Sequence, residues 1–535
     1  MSHSKISLMA LLAALLFSCA PAAETPVVFP TYDPFVPSGG NTTDGPENQP
    51  PVTSTETQTA IPTSTPTRPP TPTRVPLNIS PLIGVQDQIT SGSPTPDTAR
   101  ILPTPRQEQA QHTVQPGDTL GSIALQYNIS LQALMDANNI TDPNTLEVGM
   151  ILVIPAPEIA AAPLNSLKII PDSELVHSPA AARFNARKFI ASQGGYLNQY
   201  AEEVRGIVLN GADIIEGVSF NYSVNPRILL ALLEYQSGWV TNPNPVITDY
   251  PMGYADPNKA GLYRQVVWAA NMLNRGYYLW KANAISTLVL TDGQTISIDP
   301  TINAGTVGVQ YFFSELDGYD AWQYDTGVGG AAVTYFVFFG NPFNYAIEPL
   351  IPPTLSQPPF SLPFAEGESW YFTGGPHAAW DSGSAWGALD FAPQGNAAAC
   401  DISPYWVTAM ADGLITRTGT GSVIQDLDND GYEQTGWVLI YMHVSSQQRV
   451  TPGEYIYKNE RIGHPSCEGG ISNATHVHVA RKYNGEWIAA DGALPFNLGG
   501  WVSSGTGNEY DGYLSAAGYS IEALDAAQPE NLITR

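Results

Sequence analysis

The sequence predicts a multidomain protein: a small βααβ module, a mostly α middle domain and a C-terminal all-β domain. Length is the first observation, since 535 residues exceed what one hydrophobic core accommodates. Composition is the second. A long Pro/Thr/Ser-rich stretch precedes residue 111, and a shorter proline-rich bridge runs from Pro349 to Pro363. The third is a change of period, from helical spacing around Ile228–Leu233 to short alternating runs broken by glycines after the bridge. A formal net charge of −27 argues against a nucleic-acid partner, which needs clustered Lys and Arg against phosphate.

In chain order, Lys5, an apolar run from Ile6 to Phe17 and then Ser18-Cys19 form an export signal over residues 1–19. The run is too short to cross a bilayer of about 30 Å as a helix. Leu16-Phe17-Ser18-Cys19 resembles a bacterial lipobox, which implies lipidation at Cys19 and a chain tethered to the extracytoplasmic surface. Plain secretion with cleavage nearby is the alternative, because Phe17 is bulky for that pattern. Of three cysteines, the lipobox uses one, and an exported chain predicts that Cys400 and Cys467 pair.

Residues 20–110 read as a stalk. The stretch has no aromatic after Phe35, and Thr65-Pro66-Thr67-Arg68 recurs as Thr71-Pro72-Thr73-Arg74. Such a segment buries too little apolar surface to fold, and at about 3.1 Å per residue in extended geometry it reaches some hundreds of Å.

Residues 111–156 form the βααβ module. His112-Thr113-Val114 alternates as a strand, Pro116-Gly117-Asp118 turns into a helix at Thr119, a second helix follows Ser130, and Ile151–Ile154 closes as a strand. HTVQPGDTLGSIALQYNISLQALMDANNI and LEVGMILVIP resemble the LysM module. That resemblance implies binding of N-acetylglucosamine-containing glycan such as peptidoglycan, through Gly117-Asp118-Thr119 and Asn138-Asn139-Ile140.

Residues 165–348 read as helical. Asn225-Pro226 is a helix start, with a capping side chain and proline at the first helical position, and Gly238 can end the helix. NPRILLALLEYQSGW resembles a helix of lysozyme-like lytic transglycosylases and glucosaminidases, where a Glu-Ser pair carries the acid. Here Gln236 precedes Ser237, and an amide has no proton to give. Glu234 lies about 200° round the helix from the acid's position, facing elsewhere. The expectation is a lysozyme-like domain that binds or spaces. A glycosidase using another carboxylate is the alternative.

Residues 358–505, followed by an extension over 506–535, carry the chemistry. Five of eight histidines lie between His377 and His478. His476 and His478, at i and i+2 on a predicted strand, share one face. His443 ends another strand-like run and by alternation shares a face with Leu439 and Tyr441. His112 and His177 stand apart and read as surface or capping residues, and His464 has no role assigned. Imidazoles plus one carboxylate are what a catalytic zinc site uses.

GGPH, ALDFAP, VTAMADGLI, GWVLIYMHV and THVHV resemble the lysostaphin-type zinc endopeptidases. The resemblance implies His377, Asp390 and His478 as metal ligands, His443 and His476 as unliganded catalytic histidines, and hydrolysis of peptidoglycan stem or bridge peptides. Twelve residues separate His377 from Asp390, where the family usually has about three. Asp381 keeps the short spacing and is the fallback ligand, and the inserted residues would line the cleft. Asp426, Asp428 and Asp430 before Gly431 open like a calcium loop, but Trp437 stands where its closing Glu belongs, and a hairpin turn is the simpler account. Two other readings stay open: a non-catalytic wall-binding or regulatory protein, and a glycosidase acting through the helical domain.

Overall fold

The computed structural model describes residues 96–115, 118–143, 145–395 and 400–535. The signal, Cys19 and most of the stalk lie outside them, as does Gly117 of the glycan-contact turn. Among the described residues, no helix is long and apolar enough to cross a membrane.

The first unit is small. Strands β1 (Ala110–Thr113) and β2 (Ile151–Ile154) pair antiparallel around helices α1 (Leu120–Gln126) and α2 (Leu131–Asn138). Thr119 caps α1 with Ser122 in a reciprocal box and Ser130 caps α2, so the two predicted helix starts are where their hydroxyls can serve orphan amides. Leu120, Ile123, Leu134, Leu152 and Ile154 form its own core. The Asn138 amide is spent inside the unit, bridging the Val153 amide and carbonyl at 2.7 Å each.

The middle domain has six main helices: α3 (Ala186–Gln193), α4 (Gly211–Tyr222), α5 (Pro226–Ser237), α6 (Leu262–Lys281), α7 (Ala304–Ser314) and α8 (Ala331–Phe339). Asn225 accepts the Arg227 amide at 2.9 Å and Gly238 closes α5 in the left-handed region, as its sequence predicts. Ile228 to Leu233 are all buried, so α5 is the central helix. Part of the stretch read as stalk lies against this domain: Asp97 pairs with Lys168 at 2.8 Å, and Arg100 sits over the Trp280 ring. The chain leaves the stalk before residue 110 because these side chains find partners.

The C-terminal domain is built on a nine-stranded sheet. In chain order its strands are β3 (Ser369–His377), β4 (Ala388–Pro393), β5 (Gly413–Thr418), β6 (Val423–Asp426), β7 (Trp437–Met442), β8 (Tyr455–Ile456), β9 (Val477–Tyr483) and β10 (Glu486–Trp487). An arm with strands β11 (Trp501–Gly505) and β12 (Gly512–Ala516) follows, and β13 (Leu532–Thr534) completes the main sheet. The strand order is β8-β5-β6-β7-β9-β4-β3-β13, with β10 paired to β9. Leu532, Ile533 and Thr534 pair with Tyr371, Trp370 and Ser369, so the extension over 506–535 contributes a strand to the main sheet.

Alternation divides the sheet's residues between two cores. Leu389, Phe391, Leu439, Tyr441, Val477 and Val479 pack with Phe360, Phe364 and Trp370 on one face. Ala388, Val438, Ile440, Met442 and Ala480 point the other way, into the core of the helical domain. Asp390 and His478 share this second face by alternation. The face that carries Asp390 and His478 is therefore the one covered by helices.

Candidate metal centre

Sheet register assembles the centre. His478 on β9 is the direct Cα partner of Asp390 on β4 and of Met442 on β7, and Asp390 also pairs with Gly374 on β3. A Cβ on Gly374 would lie 2.7 Å from Asp390 Oδ2, so only glycine leaves the carboxylate its room. His377 ends β3 after two register shifts, which carry its ring back over this row.

Three atoms then face one point. His377 Nε2 is 3.0 Å from His478 Nδ1, and Asp390 Oδ1 is 3.3 Å from each. Tetrahedral zinc with bonds of about 2.0–2.1 Å needs ligand separations of about 3.3–3.4 Å, so this donor set fits zinc closely. Asp390 Oδ1 is buried without an aligned hydrogen bond, which is how a ligand atom looks when its partner is a metal.

The other nitrogen of each imidazole is tied to main chain, and a carbonyl only accepts. His377 Nδ1 donates to Gly375 at 2.8 Å and His478 Nε2 to Ala379 at 3.1 Å, which leaves Nε2 and Nδ1 respectively as bare lone pairs toward the metal point. His476 Nδ1 donates to Ala474 at 2.8 Å and His443 Nδ1 to Glu468 at 3.3 Å, so both turn Nε2 inward. Their rings lie 4.4 Å apart, and His476 Nε2 is 3.7 Å from Asp390 Oδ2.

Burial pushes the Asp390 carboxyl up, but the imidazoles of His377 and His476 outweigh it and hold the group well below the ordinary carboxylate range. Burial, more than any neighbour, holds the His443 imidazole well below its usual range, which favours its neutral form.

Geometry sorts the sequence candidates. His377, Asp390, His478, His476 and His443 come together. Asp381 does not: it faces the helical domain and accepts from Tyr222 Oη at 2.8 Å. His443 reaches the cluster by a route alternation misses. Strand β7 ends at Met442, and His443 takes φ +61, which swings it off the Leu439 and Tyr441 face toward His476. His177 is not a surface residue. It is buried between Ser219 and Gln434 at the domain seam, and burial pushes its pKa down to about 3. His464 packs on Trp406, away from the cluster.

Cys400 and Cys467 form a disulfide, as expected, next to Glu468, whose carbonyl seats His443 and whose carboxylate accepts from Ser445 and Ser446. Asp426 accepts from the amides of Asp428 and Gly431, and Asp430 from Tyr432 and Thr435, so these acids serve the turn between β6 and β7. Glu234 is fully engaged in the helical domain, accepting from Val240 N, Thr241 N and Thr241 Oγ1. One neighbour of the centre had no sequence signal: Tyr510, between β11 and β12, stacks on His377 with centroids 4.2 Å apart. Backbone bonds from the Gly375 amide to the Tyr510 carbonyl at 2.8 Å and from the Tyr510 amide to Pro376 at 3.1 Å bring these distant residues together.

Comparison with known proteins follows the same divisions. Residues 168–353 match the family described as LasA, N-terminal domain, and residues 112–155 match the LysM domain. The region expected to be lysozyme-like thus matches a different family. The chain is 27% identical over 308 residues to Protease LasA of Pseudomonas aeruginosa, covering 53% of this chain and 68% of that protein. It is 41% identical over 130 residues to the N-acetylmuramoyl-L-alanine amidase XlyA of Bacillus subtilis, covering 24% of this chain and 38% of that one. Among solved structures, the M23 metalloprotease pseudoalterin is similar at 23% identity and TM-score 0.26, covering 32% of this chain and 96% of that one. The catalytic domain of lysostaphin from Staphylococcus simulans is similar at 24% identity and TM-score 0.17, covering 23% and 88%.

Proposed function

We propose that this chain is an exported endopeptidase that uses one zinc ion to hydrolyse stem or cross-bridge peptides of peptidoglycan. The observation that carries the reading is the three-atom donor set of His377, Asp390 and His478, spaced as one face of a zinc tetrahedron. Zinc in such a site makes water a nucleophile near neutral pH and polarises a carbonyl.

The chain's own groups supply the rest. His443 is neutral, with Nε2 free to take a proton from an attacking water and pass it to the leaving amine. His476, held by Ala474, presents its Nε2 beside Asp390, where it can orient that water or stabilise charge developing on the substrate oxygen. Similarity to a protease and to an amidase named for a muramoyl-peptide bond supports a cell-wall substrate. The LysM match supports delivery to the glycan, and the lipobox-like Leu16–Cys19 supports tethering at the cell surface.

The test is mass spectrometry of peptidoglycan incubated with the purified protein, with and without a zinc chelator. New peptide ends that vanish with chelator are expected. New sugar ends indifferent to chelator would move the chemistry to the helical domain, and wall binding without products would make this a binding protein.

A further inference from the structure

Asn271 lies in the middle of α6, where asparagine is a poor choice because its amide competes with the helix's own hydrogen bonds. It is 1% exposed and must find partners. They come from the other domain. Its Nδ2 donates to Ser382 Oγ at 3.0 Å and toward Asp381 Oδ1 at 3.4 Å, and its Oδ1 accepts the Gly383 amide at 2.7 Å. A Cβ on Gly383 would lie 2.1 Å from the Asn271 carbonyl oxygen, so the approach requires glycine. Tyr222, ending α4, holds the second Asp381 oxygen at 2.8 Å.

The gripped segment belongs to the insertion that joins His377 to Asp390. Inside it, the Asp381 carbonyl accepts from Ser384 N and Oγ, and Ser384 Oγ accepts the Trp380 amide at 3.0 Å. The Ala379 amide reaches Ala385 at 2.9 Å. This braced turn leads to the Ala379 carbonyl, which takes the Nε2–H of His478.

We propose that Asn271 and Tyr222 are positioning residues for the metal centre, clamping Asp381–Gly383 so that the Ala379 carbonyl fixes the ring of His478. This rests on the zinc reading above. It makes the helical domain a working part of the centre, because a ligand's outer partner sets both its tautomer and its direction.

The experiment measures zinc affinity by competition with a chromophoric chelator, with kcat and KM alongside, on the full chain. Wild type, Asn271→Ala and Tyr222→Phe are compared, and melting of the metal-free forms is recorded. Asn271→Ala should bind zinc about tenfold more weakly. Tyr222→Phe, which removes one hydroxyl and keeps the ring, should shift affinity the same way by less, and both should lower kcat more than they raise KM. Wild-type zinc affinity in both variants overturns the proposal, even if their metal-free forms melt at lower temperature. A wild-type chain that binds zinc without cutting peptidoglycan would sink the peptidase reading, while the affinity comparison would still decide the clamp.

Discussion

Alanine at position 478 is expected to abolish both stoichiometric zinc and hydrolysis. The substitution removes one of only three atoms set 3.0–3.3 Å apart, and no neighbour can replace it. His476 Nε2 is the nearest candidate, but it sits 3.7 Å from the other Asp390 oxygen, with its ring held by Ala474. Loss of an outer partner of a ligand costs about 10–100-fold in metal affinity, so loss of the ligand itself should exceed about 100-fold. Metal content by plasma mass spectrometry, read beside product formation, checks this. Asp390→Asn should behave alike, whereas Asp381→Asn should keep the metal, with a loss no larger than that of the clamp variants. Full zinc in the Asp390 variant would show that the ligand set is wrong.

The second large effect separates binding from chemistry. His443→Ala should retain the metal and lose about 10²–10⁴-fold in kcat, the usual contribution of a positioned acid–base group. His443 touches none of the three ligand atoms at bonding distance: its ring lies 6.2 Å from that of His478. Its place depends on the left-handed backbone at that residue and on the carbonyl of Glu468 beside the Cys400–Cys467 bridge. Steady-state kinetics on a defined peptide, with zinc quantified in the same sample, decides the matter. An alanine variant with unchanged kcat would remove His443 from the mechanism.

Much of this centre is legible in the sequence. His476 and His478 are two apart, and a strand has no choice but to put them on one face. Asn225, Pro226 and Gly238 announced α5, because capping is a local matter of orphan amides and left-handed backbone. The preference for Asp390 over Asp381 rests on neighbouring motif residues, whereas the register that sets Asp390 opposite His478 is something no local pattern encodes. Alternation puts His443 on the wrong face because it assumes extended backbone, and φ +61 ends the strand. Tyr510 and Asn271 were invisible for a related reason: their partners lie more than a hundred positions away. Glu234 in α5 ties down the turn that follows the helix.

The common core under the sheet also has a thermodynamic meaning. Ile424, Val438, Ile440, Ala480 and Trp487 of the C-terminal domain belong to one continuous apolar cluster with α4, α5, α6 and α7. Neither domain can open without baring the other's interior, so the two form a single cooperative unit. A probe placed in either reports the same transition. A cavity carved into α5, far from any histidine, draws on the same reserve of stability that keeps the sheet under Asp390 and His478 in register. The βααβ module keeps a core of its own, yet it is moored to that unit: Asn128 donates to the Thr287 carbonyl and hydroxyl at 3.1 and 2.7 Å, and Leu125 packs on the shared cluster.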